Sequence, residues 1–169
     1  MPHHQAIEIT GITPASEFPA CPPQAWGETV IAGTLMIPCP EPDIRRILSA
    51  CAAAVVTGHN VLCTPAGRRL VVHAAITFTV HFQAATGLAT RHTASLCLPA
   101  CLAIHLDGSC HVKKVHLLIE DVSVWRLSPR SIAVTALIAA YPEFGSCHRD
   151  SEDCIRCDIK IRSGADERA

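Results

Sequence analysis

Aromatic residues are scarce: the chain of 169 residues holds two Trp, one Tyr and four Phe. That leaves little material for the stacking platforms that bind single-stranded nucleic acid. A basic excess is missing as well, with 14 Lys and Arg against 15 Asp and Glu and a net charge of -1. A nucleic-acid binder normally presents a basic face, so that class is excluded. Charge of either sign is thin, at 17% of residues against 49% hydrophobic. Such a chain can bury a core, which excludes disorder over its whole length. The apolar runs are interrupted by His, Thr, Arg or Pro well before the ~20 residues of a membrane-spanning helix. No glycine-rich phosphate loop occurs; Gly108 and Gly145 stand alone, as turn residues do. The start, Met1-Pro2-His3-His4-Gln5, has neither a basic nor an apolar leader region, which predicts no secretory signal.

Two residue types are abundant instead, 10 Cys and 10 His. Without a leader, cysteines at this density read first as reduced thiols or metal ligands. Their distribution follows three segments. Residues 1–27 form a proline-punctuated arm with Pro2, Pro14, Pro19, Pro22, Pro23 and Cys21. Within it Ile7 and Ile9 alternate with Glu8 and Thr10, enough for one short strand that either packs on its own body or reaches a neighbour. Residues 28–141 are the body. Residues 142–169 form a polar tail of mixed charge that carries Cys147, Cys154 and Cys157.

The body reads as strands. From Arg69 to Gln83, Leu70, Val72, Ala74, Ile76, Phe78, Val80 and Phe82 fall on one face; Val71, His73, Ala75, Thr77, Thr79 and His81 fall on the other. Sustained period-two alternation predicts a half-buried strand. Thr64-Pro65-Ala66-Gly67 predicts the turn before it, and the run Ala50 to Cys63 its hairpin partner, although Ala50 to Ala54 also suits a helix. Arg91 to Leu98 alternates again, and Pro99 predicts an edge position or a bulge before Leu102, Ile104 and Leu106. Asp107-Gly108-Ser109 predicts the next turn. Val115, Leu117 and Ile119 alternate until the phase slips at Glu120-Asp121 and resumes at Val122 and Val124, the pattern of a β-bulge. Ser128-Pro129-Arg130 predicts a turn into a last strand, Ile132 to Tyr141. Asp43 to Leu48, after Pro38, Pro40 and Pro42, reads as one short helix capped by Asp43. The expected fold is all-β: a β-sandwich of about seven to eight strands, jelly-roll-like, with one short helix and an extended N-terminal arm.

Three chemistries are open to the Cys and His residues. Nucleophilic catalysis needs a base, an orienting group and a cleft, and no local signature marks any Cys–His pair. No residue constellation argues for an enzyme, and no cofactor is implied. A metal site is open to Cys147, His148, Cys154 and Cys157, four soft ligands within eleven residues, but only Cys154-x-x-Cys157 has a chelating spacing. Disulfides suit the exposed segments best: Cys21 in the arm, Cys39 in a proline-rich connection, and Cys147, Cys154 and Cys157 in the tail. Cys51, Cys63, Cys97 and Cys101 are expected in the core as small hydrophobes. A cysteine-bearing arm and tail on a rigid body is the layout of a subunit cross-linked to its neighbours.

Gly33-Thr34-Leu35-Met36-Ile37-Pro38 followed by Glu41-Pro42-Asp43-Ile44-Arg45-Arg46-Ile47-Leu48 resembles the opening of the SPOCS domain of spore-coat assembly proteins. Leu70 to Ile76 is similar to that family's central strand. His92 and Leu98-Pro99-Ala100-Cys101-Leu102-Ala103-Ile104 are similar to its His- and Pro-containing strand. Ile119 to Val124 and Leu127 to Ile132 are similar to its closing pair. The resemblance covers roughly residues 28–140. Ala100 and Ala74 depart from it, standing where the family tends to have Phe and Gly, and no peptidoglycan-binding LysM module follows. The resemblance implies a non-enzymatic part in building the envelope or surface appendages of a bacterial endospore. It implies synthesis without a leader and exposure to oxidant when the mother cell lyses, so disulfides become reasonable. The expected partners are further copies of the chain, joined head to tail through the arm, and other spore-coat proteins; nucleic acid and membrane are not expected.

Overall fold

A computed structural model describes residues 7–21, 23–85, 90–108 and 111–145. Seven strands account for most of them: β1 (Glu8–Thr10), β2 (Gly27–Met36), β3 (Ile44–Thr64), β4 (Gly67–Ala84), β5 (Arg91–Leu106), β6 (Val112–Ser128) and β7 (Ser131–Phe144). They form two sheets, ordered β1-β3-β4-β5 and β2-β7-β6. The all-β sandwich expected from the alternation is therefore present. Among the described residues the only helix is a single 3-10 turn, Ala15–Glu17, in the arm.

The core is the inward row of each sheet. On β4 the seven residues of the predicted apolar face are all buried, with Leu70, Val72, Ile76, Phe78 and Val80 at 0% exposure. They meet Ile132, Val134 and Ile138 of β7 in one continuous cluster. With only four Phe in the chain, two of them, Phe78 and Phe82, supply the largest buried side chains. The remaining volume is filled mostly by β-branched Val and Ile, which suit a pleated surface, with Leu and Ala.

The predicted helix over Asp43 to Leu48 is instead the start of β3. Ile44 pairs with Ala84 and Ile47 with Phe82, and the ladder shifts register between Ile44 and Arg46 and again between Ile47 and Ser49. Each shift inserts a residue. Inward side chains therefore fall at Ile44, Ile47, Ala50 and Ala52, a spacing that imitates helical periodicity. This stretch is tied to the β6–β7 turn. Ile37 N–H donates to the Arg130 carbonyl at 2.9 Å, and Ile44 N–H to the Pro129 carbonyl at 2.7 Å. The Arg130 guanidinium reaches Asp43 Oδ1 at 2.7 Å and the Ile37 carbonyl at 3.0 Å. Arg126 donates to the carbonyls of Ile44 and Arg45 at 2.9 Å each. Two arginines thus satisfy the backbone of the crossover between sheets.

The arm lies on its own body. β1 pairs in parallel with Ser49–Cys51 of β3. Gly11 then turns at φ 89°, and a Cβ there would lie 1.8 Å from the Ala52 carbonyl oxygen, so only glycine fits. Beyond it, Thr13 N–H donates to the Ile119 carbonyl and Ile119 N–H donates to Thr13 Oγ1, both at 2.8 Å. The arm therefore passes from the four-stranded sheet to the edge of β6. It covers part of one open side of the sandwich. On the other side β2 crosses β5, with Gly33 against Leu96 and Leu98 and Gly27 against Ile104.

Two fine predictions match. The register of β6 on β7 shifts between Ile119 and Asp121, the expected bulge. β5 is a sheet edge, as Pro99 requires.

Candidate functional site: the thiol-bearing edge of the four-stranded sheet

β5 is continuous from Arg91 to Leu106 and pairs with β4 without a register shift. Its even-numbered residues face the core: Ala100, Leu102, Ile104 and Leu106 are buried. Its odd-numbered residues, Arg91, Thr93, Ser95, Cys97, Pro99, Cys101, Ala103 and His105, are all exposed. Cys97 and Cys101 are therefore free, exposed thiols and not core residues. The reason is parity. Both cysteines share the phase of Arg91 and His105 and oppose that of Leu98 and Leu102, a signal present in the alternation and outweighed by the general tendency of free Cys to be buried.

The other cysteines divide as follows. Cys51 is half-buried and free, its thiol 3.8 Å from the Ala52 carbonyl. Cys63, also expected in the core, is in a disulfide. Cys21 and Cys39 are exposed, as expected of linkable positions. The cross-link candidates Cys147, Cys154 and Cys157, and the metal candidates Cys147, His148, Cys154 and Cys157, lie outside the described residues. Among the described residues no group of three or more His, Cys, Asp or Glu could hold a metal ion. Cys97 and Cys101 cannot join each other: four residues of extended strand separate them by about 13 Å, against the ~7 Å limit on a bridged Cα pair.

The surface around these thiols is a hydroxyl and imidazole ladder. His73 lies opposite Cys101, Thr77 opposite Cys97, Thr79 opposite Ser95 and His81 opposite Thr93. His81 Nδ1 and Thr93 Oγ1 are 2.8 Å apart, and the Thr79 and Ser95 hydroxyls 3.3 Å. On the opposite, inward phase of β5, His92 Nδ1 meets Glu41 Oε2 at 3.1 Å, and the His92 ring stacks on the buried Phe82 with centroids 5.5 Å apart. Glu41, Phe82, Thr93 and Ser95, with Met36 and Ile37, line a cleft of about 300 Å³.

The outer face of the three-stranded sheet carries a second polar cluster, which sequence reasoning did not identify. Trp26, Tyr141 and His116 stack in a row, with centroids 5.8 and 4.8 Å apart. Glu143 accepts from Lys113 at 2.9 Å and from His116 at 3.1 Å. The three side chains come from β6 and β7, thirty residues apart, so no local motif announces them. The Lys113 hydrogen bond above all, then that from His116, holds the Glu143 carboxyl below the usual carboxylate range. A depressed carboxyl adds stability that is complete above its unfolded value and is lost as pH falls through its folded value. Glu143→Gln is therefore expected to lower Tm slightly at neutral pH and to match the parent in acid. A Tm deficit that persists in acid would contradict this. Glu120, at the β6 bulge, is shifted the other way, raised by burial and then by the nearby Glu28 carboxylate.

Comparison with known proteins adds no relative: no family model, no curated protein and no solved structure matches the chain.

Proposed function

We propose that this chain is a non-enzymatic structural subunit that self-assembles into a disulfide-reinforced fibre or layer of the bacterial spore surface. The observation that carries the reading is the display of free thiols on the outside of a rigid β body. Cys21, Cys39, Cys97 and Cys101 are all free and exposed, and two of them sit on an edge strand. An isolated chain gains nothing from exposed thiols, whereas a cross-linked subunit uses them. Apolar side chains on the outer faces of both sheets support the same reading: Val30 and Met36 are 67% and 64% exposed, and Val55, Leu127 and Trp125 are also exposed. Among the described residues β2 ends its sheet with no further strand beside it, an edge that can accept a strand from another chain. The resemblance to SPOCS segments supplies the setting, a spore coat or spore surface. The arm packs on its own body, through β1 on β3 and Thr13 on Ile119, so in this reading it is Cys21, exposed on the packed arm, and the tail cysteines that lock neighbouring subunits head to tail, a contact that propagates.

The test is whether material from the native source contains covalent multimers that a reductant dissolves. A monomer that instead recovers spore-coat proteins in a pull-down would favour an adaptor that tethers them.

A further inference from the structure

We infer that the cleft at the start of β5 is a docking slot for a short extended segment of another copy of the chain, Ile159-Lys160-Ile161 of the tail, with the Lys160 ammonium on Glu41. The inference rests on the reading of the chain as a self-assembling subunit and names a joint that such a subunit needs.

Pro99 fixes which backbone groups of β5 are free. It lies opposite Ala75 in an antiparallel ladder without register shifts. Proline has no N–H to give, so its nitrogen faces away from β4. Backbone groups alternate sides along a strand. Thr93 and Ser95 share the parity of Pro99, so their N–H and C=O face away from β4 as well. Their hydroxyls are turned to the outer face, to His81 and Thr79. What Thr93 and Ser95 present to the cleft is therefore main chain, and among the described residues no strand pairs with it.

The rest of the lining is apolar. Met36 and Ile37, at the end of β2, stand across the cleft, and Phe82 is its floor. Met36 is 64% exposed, a wall without a cover. The slot is short. Beyond Ser95 the two strands close on each other, with Gly33 against Leu96 and Leu98. That leaves room for about three extended residues, ~10 Å. At the rim Glu41 is 48% exposed and meets His92 through one carboxylate oxygen, where a carboxylate has two to offer. A slot of this kind holds an extended peptide by main-chain hydrogen bonds, and its lining selects the side chain that enters. Here the lining suits an aliphatic stem along Phe82 and Met36 with a cationic head at Glu41, which describes lysine.

The chain carries a matching segment outside the described residues. Ile155, Cys157, Ile159 and Ile161 alternate with Arg156, Asp158, Lys160 and Arg162. Period-two alternation suits a strand. Within it Lys160 stands between two β-branched residues. Set antiparallel on β5 with Lys160 opposite Ala94, the two Ile fall opposite Thr93 and Ser95 and share their outer face, where β-branched side chains pair well. Lys160 then points into the slot. Reach decides which copy supplies the segment. β7 begins at Ser131, opposite Met36 beside the cleft, and ends at Phe144. Its 14 residues put about 43 Å between the two ends. The 15 residues from 145 to 159 span only about 19–23 Å as a flexible chain. The tail of one copy thus leaves from the pole opposite its own cleft and meets the cleft of the next, a head-to-tail joint that propagates.

The isotope-labelled full chain, kept in reductant, is titrated with a synthetic peptide of residues 154–162 in which both cysteines are replaced by serine. Backbone amide signals are followed by NMR. The expected result is a saturable shift centred on Thr93, Ser95 and Met36. Glu41→Lys is expected to weaken binding about tenfold or more, since it sets like charges together. A peptide carrying Lys160→Glu is expected to bind that variant about as tightly as the parent pair bind. Circular dichroism checks that the variant folds. No saturable shift, a shift centred on another edge, or equal binding of both peptides by the parent overturns the slot. Reducible multimers in native-source material, together with a cleft that takes no peptide, would overturn this joint and leave the subunit reading standing. A cleft that takes the peptide in a chain found only as a monomer would leave the slot standing and remove the subunit reading.

Discussion

Phe78→Ala is expected to destabilise the fold by about 3–5 kcal/mol, the usual cost of removing a fully buried ring. Phe78 has 0% exposure and sits mid-way along β4, the strand that carries most of the largest buried side chains. The core holds few other large side chains that could shift into the space, because most of its residues are Val, Ile and Ala. The deletion therefore leaves a cavity as well as losing the transfer energy of the ring. Thr77→Ala, one residue away on the exposed face, is the control and is expected to stay within about 0.5 kcal/mol. Denaturant titration measures both. Equal midpoints for the two variants would mean that the inward and outward faces of β4 are assigned wrongly.

The second large effect concerns Cys63. It lies at the turn end of the β3–β4 hairpin and is disulfide-bonded, next to Thr64, whose Oγ1 donates to the Gly67 carbonyl at 2.8 Å. Losing its disulfide is expected to cost about 2–4 kcal/mol, because the unfolded chain regains the freedom that the link removed. Under oxidising conditions Cys63→Ser should melt well below the parent. In reductant the two should melt together. A deficit of the same size under both conditions would show that the side chain acts by packing and not through its bond.

These two residues also mark what the sequence makes legible. Phe78 belongs to an unbroken period-two run, and such a run determines strand, face and burial together, since each residue repeats the same statement. β4, the hairpin turn before it, the β6 bulge and the edge position of Pro99 are readable for that reason. The start of β3 is not. Its two bulges space Ile44, Ile47 and Ala50 three apart, and a window of six residues cannot distinguish a doubly bulged strand from a helical turn. The arm is half legible. Ile7 to Thr10 suggests a strand, but its pairing with β3 and the bridge from Thr13 to Ile119 depend on contacts 40 and 106 residues apart.

At the candidate site the lesson is narrower. Residue type argued that Cys97 and Cys101 are core, whereas their phase argued that they are surface. Phase carries the geometry of the strand, and type only an average over many proteins. The Lys113–His116–Glu143 cluster lies beyond any such reading, because its members meet only when β6 and β7 pair in register.

The central claim is that this subunit is linked covalently to others through thiols on its outside. A denaturing gel of native-source material, run with and without reductant, tests it most directly. The account predicts a ladder or well-retained material without reductant that collapses to a band at 18.1 kDa with it. A single band at that mass in both lanes would contradict the account.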